Sequence, residues 1–206
     1  MTSIAPRPYV SIDIETTGLD WRICQTIEVG AVIDDYKSAI VDLPTFRCYV
    51  DHGLFRGQPY ALSMHAEIFR RIATGDTKID ILEPSEVADY FASWLSRNGF
   101  DPNMEKTIVA GKNFAAFDKC FLEDLPGWAA EVNMKHRIID PGNMFYIPGV
   151  DDGPPDTEEC LRRAKLPPVV NHKALDDAFD VVRLIRYKMK KPSNWDMRAD
   201  GRMSDG

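Results

Sequence analysis

Tyr9-Val-Ser-Ile-Asp-Ile-Glu-Thr-Thr-Gly-Leu19 is the stretch on which the fold turns. Val10, Ile12 and Ile14 alternate with Ser11, Asp13 and Glu15, the period of a half-buried strand with one apolar and one polar face. Two residue rises separate Asp13 from Glu15, so the polar face carries two carboxylates about 7 Å apart. Like charges that close raise the cost of ionising either one. A divalent cation is the simplest neutraliser, and hard oxygen ligands suit Mg2+ or Mn2+. Thr16-Thr17-Gly18 reads as a tight turn off the strand end.

Two later stretches extend the pattern. Lys106-Thr-Ile-Val-Ala-Gly111 reads as a buried strand, and a helix begins soon after it within Asn113-Phe-Ala-Ala-Phe-Asp118-Lys-Cys-Phe-Leu122. Further on, Asn171-His172-Lys-Ala-Leu-Asp-Asp177-Ala178 opens a helix whose apolar stripe is Leu175, Ala178, Phe179, Val182 and Ile185. His172 falls at or just before that helix start, with Asp177 one turn inside.

The ordered set Asp-x-Glu-Thr-Thr-Gly from Asp13, Asn-x-x-x-Phe-Asp from Asn113 and His-x-x-x-x-Asp-Ala from His172 resembles the three motifs of the DEDDh 3′–5′ exonucleases. These are ribonuclease H-like enzymes that include the polymerase III proofreading subunit, ribonuclease T and oligoribonuclease. The likeness runs from about Tyr9 to Tyr187, and Thr157 to Lys165 is similar to the helix that the family sets before its histidine. The resemblance implies that Asp13, Glu15, Asp118 and Asp177 hold two divalent cations, Mg2+ or Mn2+, with Asp13 bridging them. It implies His172 as the general base, a task that suits a side chain titrating near neutrality. Asp176 adjoins Asp177, but the family spacing from His172 selects Asp177.

For substrate contacts, Thr16, Gly18 and Leu19 match family positions that hold the terminal nucleotide. Ala61 to Ile68 resembles a segment packed against the terminal sugar or base, which makes His65 a candidate, although Ala66 stands where the family's glycine follows. Asn113 is open between a loop hydrogen-bonder and a substrate contact. Phe55, Tyr60, Phe69 and Phe114 are candidates for base stacking or for the core.

The implied activity is hydrolysis of phosphodiester bonds at the 3′ ends of single-stranded RNA or DNA, releasing nucleoside 5′-monophosphates. A slight lean to RNA comes from the short chain, which is similar to free-standing RNA-trimming members. The alternatives are a polymerase-associated DNA proofreading subunit and a non-catalytic nucleic-acid-binding protein on the same fold. Several free-standing members are homodimers, and the resemblance leaves that state open here.

Composition bounds the rest. The 206 residues, with 44% apolar content, suit one α/β exonuclease domain over 1–192 and a polar tail over 193–206. Cys24, Cys48, Cys120 and Cys160 are scattered without a Cys-x-x-Cys pair, which reads as a reducing cytoplasm and no zinc site. No signal-like or membrane-spanning run is present, so the expected protein is cytoplasmic. A net charge of −7 favours short, end-on engagement of a polyanion over a long basic groove. Strands are expected at 8–14, 26–34, 45–51, 106–111 and 137–140. Helices are expected at 63–73, 84–97, 115–124, 157–165 and 173–190, with 140–155 irregular. That order predicts a ribonuclease H-like α/β fold, a mixed five-stranded sheet flanked by helices.

Overall fold

The computed structural model describes residues 6–100, 105–167 and 173–190. Asn171, His172 and the tail 193–206 lie outside the described residues. Strand β1 (Tyr9–Thr16) runs antiparallel to β2 (Thr26–Asp34), which pairs antiparallel with β3 (Thr45–Val50). The short strand β4 (Asp80–Leu82) adds parallel to β3, and β5 (Val109–Ala110) adds parallel to β1. The order is β4-β3-β2-β1-β5, a mixed five-stranded sheet as expected.

Its membership differs from expectation in one strand. Residues 137–140 contribute a single bridge, Ala110 to Ile139, whereas Asp80–Leu82 supplies the fifth strand. Three residues between a helix and a Pro-containing turn are too short for alternation to register, and their pairing with β3 is a tertiary fact.

One face of the sheet packs Val10, Ile12 and Ile14 of β1 against α3 (Val87–Arg97), α4 (Asp118–Asp124) and α5 (Trp128–Glu131), with Phe91, Leu95, Phe121 and Trp128 at the centre. The other face is covered by α8 (Ala174–Lys190), whose Ala178, Val181, Val182 and Ile185 pack with Tyr9, Val32 and Ala110. Strand β1 is therefore buried on both faces rather than half-buried; Asp13 alone among its residues keeps intermediate exposure.

Two further differences matter near the strand ends. The expected helix over 63–73 breaks at His65 into α1 (Pro59–Met64) and α2 (Ala66–Thr74). The expected loop over 140–155 contains α6 (Pro141–Phe145), started by the Asp140 carboxylate accepting from the Gly142 N–H. Helix α7 (Thr157–Arg163) follows, capped by Asp156 on the Glu159 N–H.

Candidate active site

Asp13 and Glu15 project from β1 toward α8. The same face bears Ser11, whose hydroxyl donates to the Ala178 carbonyl at 2.9 Å and pins the helix to the strand. Close approach is possible because Gly30 on β2 lies opposite Asp13; a Cβ there would stand 2.2 Å from the Leu175 nitrogen. The first turn of α8 thus settles directly over the strand pair, and Asp177 comes down onto the two carboxylates. Asp13, Glu15 and Asp177 each offer an oxygen within 4.8 Å of the others.

Asp118 reaches the same place from the other side. It opens α4 just after β5 and is buried. Its charge is the largest of those acting on Asp13. The four carboxylates that the sequence singles out therefore form one electrostatic group.

Burial pushes every member upward, and neighbouring carboxylates push Asp13, Glu15 and Asp177 further. Asp13 lies well above the usual carboxylate range, through burial and then through Asp118, Asp177 and Glu15. Burial, then Glu28 and Asp177, raise Glu15 to about 8. Burial raises Asp118 to about 7, and burial with Asp180 and Asp176 raises Asp177 to about 7. Asp177 Oδ1 is buried with no hydrogen-bond partner among the described residues. A cluster of hard oxygens that repel one another, one of them orphaned, fits a divalent cation.

The loop after β1 is braced rather than loose. Thr16 Oγ1 donates to the Gly18 carbonyl at 2.7 Å, and Thr17 Oγ1 donates to the Arg56 carbonyl at 2.6 Å. The Gln58 N–H donates to the Thr17 carbonyl at 2.7 Å. Gly18 nests against Cys24 and Gln58, where a Cβ would stand 2.6 Å from Cys24 Sγ. These bonds draw the segment 56–65 against the end of β1 and deliver His65, 4% exposed, to Glu15, with Nε2 3.3 Å from Oε2. His65 therefore belongs to the interior of the site, not to the surface. Leu19 and Tyr60 stand 75% and 80% exposed on the rim.

Other candidates separate cleanly. Asn113 is exposed, with a left-handed backbone (φ 56°) and an N–H that donates to Asp140 at 3.0 Å, the geometry of a turn residue. Phe114 is core, and Phe55 packs on Phe69 at 4.9 Å between ring centroids. Tyr60 alone of the four aromatic candidates stands out into solvent. His172 lies outside the described residues.

Sequence reasoning missed Glu28. It pairs with Glu15 across β1 and β2, is 0% exposed, and receives the Arg47 Nε–H at 2.6 Å. The signal was present: in Thr26-Ile-Glu-Val-Gly30 the small and polar residues alternate with Ile27 and Val29 as they do in β1.

No protein-family model matches the chain. The PolC-type DNA polymerase III of Clostridium perfringens is 27% identical over 199 residues, covering 89% of this chain and 11% of the polymerase. Among solved structures, E. coli exonuclease I in complex with a dT13 oligonucleotide superposes with a TM-score of 0.56 at 16% identity, covering 88% of this chain and 40% of that one. A zinc-bound form of the E. coli exonuclease I–ssDNA complex gives 0.59 at 14% identity, over 91% of this chain and 42% of that one. Exonuclease I from Methylocaldum szegediense gives 0.61 at 13% identity, over 90% and 41%. The chain thus spans about a tenth of the polymerase and two fifths of the exonucleases. Fold and carboxylate cluster define a ribonuclease H-like chain with a cation-type site. Within that class, the chain shares its fold with exonuclease I structures and a sequence likeness with the PolC-type polymerase.

Proposed function

We propose that this chain is a divalent-metal-dependent 3′–5′ exonuclease acting on single-stranded 3′ ends and releasing nucleoside 5′-monophosphates. The observation that carries the reading is the convergence of Asp13, Glu15 and Asp177 within 4.8 Å, with Asp118 beside them. Single-stranded DNA is the favoured substrate, because similar structures hold dT13 or dA16 and the sequence relative is a DNA polymerase. RNA is the second reading.

Asp13, Glu15, Asp118 and Asp177 would hold divalent cations, two Mg2+ or Mn2+ ions. When bound, the ions neutralise charge on the attacking and leaving oxygens and make water a better nucleophile near neutral pH. His172, at the position where the resembled family places its general base, would take the proton from the attacking water. The new bond forms between water oxygen and the terminal phosphorus; the bond to the preceding 3′ oxygen breaks, and that oxygen is protonated as it leaves. His65 orients Glu15, and the braced loop Thr16–Leu19, with Tyr60 opposite, receives the last nucleotide.

The test is a time course on 5′-labelled single-stranded DNA and RNA of one sequence, with Mg2+, Mn2+ or chelator, and Asp177→Ala as control. A metal-dependent ladder shortening from the 3′ end, absent in the variant, is expected, with DNA degraded faster. Intact substrate under every metal would sink the exonuclease reading in favour of a non-catalytic binding protein. Activity that appears only on adding a DNA polymerase would favour the proofreading subunit.

A further inference from the structure

A second cleft opens beside the braced loop, and none of the four site carboxylates lines it. It holds about 480 Å3 and lies between the segment 21–26, residues His52 and Arg56, and the end of α4. Part of its wall is apolar and closed, for Phe121 and Leu125 are buried. Trp21 stands half-buried in it, with the Arg22 guanidinium 4.9 Å from its ring centroid. Arg22 and Arg56 are exposed and form its mouth.

Charge sets this cleft apart in an acidic molecule. Two arginines line it against one carboxylate, Asp124, in a chain of net charge −7. Arg22 has a long contact to Asp20 at 3.4 Å, and the Arg56 guanidinium forms no ion pair among the described residues. His52 adds no cation near neutral pH, because burial lowers its titration and its Nε2–H donates to the Thr26 carbonyl at 2.8 Å. Thr26 belongs to the same wall, and its hydroxyl oxygen is buried with no hydrogen-bond partner among the described residues. Apolar walls with a few unspent polar groups are the make-up of a ligand site.

The cleft shares residues with the loop that would receive the last nucleotide. Cys24 lines it and packs on Gly18, where a Cβ would stand 2.6 Å from Sγ. Arg56 lines it as well, while its carbonyl accepts from Thr17 Oγ1 at 2.6 Å and its N–H donates to Gln25 Oε1 at 2.7 Å.

We propose that this cleft binds a second nucleotide, with its phosphate between Arg22 and Arg56 and its base against Trp21. Stacking on an aromatic ring and charge-assisted bonds from arginine are general means of holding such a group. The choice of a nucleotide rests on the exonuclease reading, which brings both a strand and released 5′-monophosphates to this loop. The ligand is therefore a nucleotide within the strand or the free monophosphate.

The experiment is calorimetric titration of the full chain in chelator, where metal-dependent cleavage is off. dAMP, inorganic phosphate and a short single-stranded deoxyadenosine oligonucleotide are each added to wild type, Asp177→Ala, Arg22→Gln/Arg56→Gln and Trp21→Ala. If the free monophosphate is the source, dAMP binds wild type and Asp177→Ala alike. The arginine and tryptophan variants then each weaken it by about tenfold, and inorganic phosphate binds about tenfold more weakly than dAMP. If the strand is the source, the oligonucleotide shows the same losses and dAMP binds little. Should Trp21→Ala not fold, Trp21→Leu fills the space without an aromatic face and carries the same expectation.

Binding that is absent in wild type, or unchanged in both variants for both ligands, overturns the inference. So does inorganic phosphate as tight as dAMP with loss in the arginine variant alone, which leaves an anion spot and no place for a base. Because these titrations need no cleavage, labelled strands that stay intact with every metal would sink the exonuclease reading without deciding this one.

Discussion

At the scale of single residues, the site carboxylates crowd like charges in a buried place. In the unfolded chain they titrate near pH 4. In the native state Glu15 is raised to about 8 and Asp118 and Asp177 to about 7. Between those limits the native state binds more protons than the unfolded one, so stability falls as pH rises. In chelator, the melting temperature is expected to be highest near the acid end of that window and to decline toward pH 8. Asp13→Asn and Asp177→Asn remove one of the repelling charges; each should melt above wild type in chelator at pH 8 while losing turnover. Melting below wild type in both variants would mean that these carboxylates hold the fold and that their repulsion is minor. Saturating Mg2+ should reverse the pH trend, since a ligand at a hundred times its Kd stabilises the native state by about 2.7 kcal/mol.

At the scale of elements, the site depends on how closely α8 sits on β1 and β2. Gly30→Ala would place a methyl 2.2 Å from the Leu175 nitrogen, in backbone that has nowhere to go. A destabilisation of about 1–3 kcal/mol is expected from such overpacking, with weaker metal binding as the helix lifts. Denaturant melts with and without Mn2+ check both, and a variant as stable as wild type would show that α8 is free to shift. Ser11→Ala, which removes the hydroxyl bonded to the Ala178 carbonyl, should cost about 1 kcal/mol.

The same element explains what sequence could and could not yield. Alternation in β1 and the helical stripe of α8 were both legible, because each is a local period imposed by burial. That the two pack face to face was not, so β1 looked half-buried and its polar side open. The His65 break was hidden as well: the apolar pattern runs through it, and the turn is set by the bonds that tie Thr17 to residues 56–58. Glu28 was passed over because its meaning lies in Arg47, a partner on the next strand that no spacing announces.

At the scale of the whole molecule, the net charge of −7 would set the terms on which the proposed polyanionic substrate approaches. Few phosphates can be neutralised, and each contributes about −0.7 to the logarithmic salt slope on a single strand. The slope of kcat/KM against salt for a short oligonucleotide is therefore expected to be shallower than about −2. A steeper slope would mean that the protein engages a longer run of backbone than end-on binding allows. The carboxylates themselves come from three distant parts of the chain: β1, the start of α4 and the start of α8. A nascent chain synthesised only as far as α4 already contains Asp13, Glu15 and Asp118 but lacks Asp177 and the helix that closes over β1. The four-carboxylate cluster is thus completed last, when the helix carrying Asp177 settles over β1.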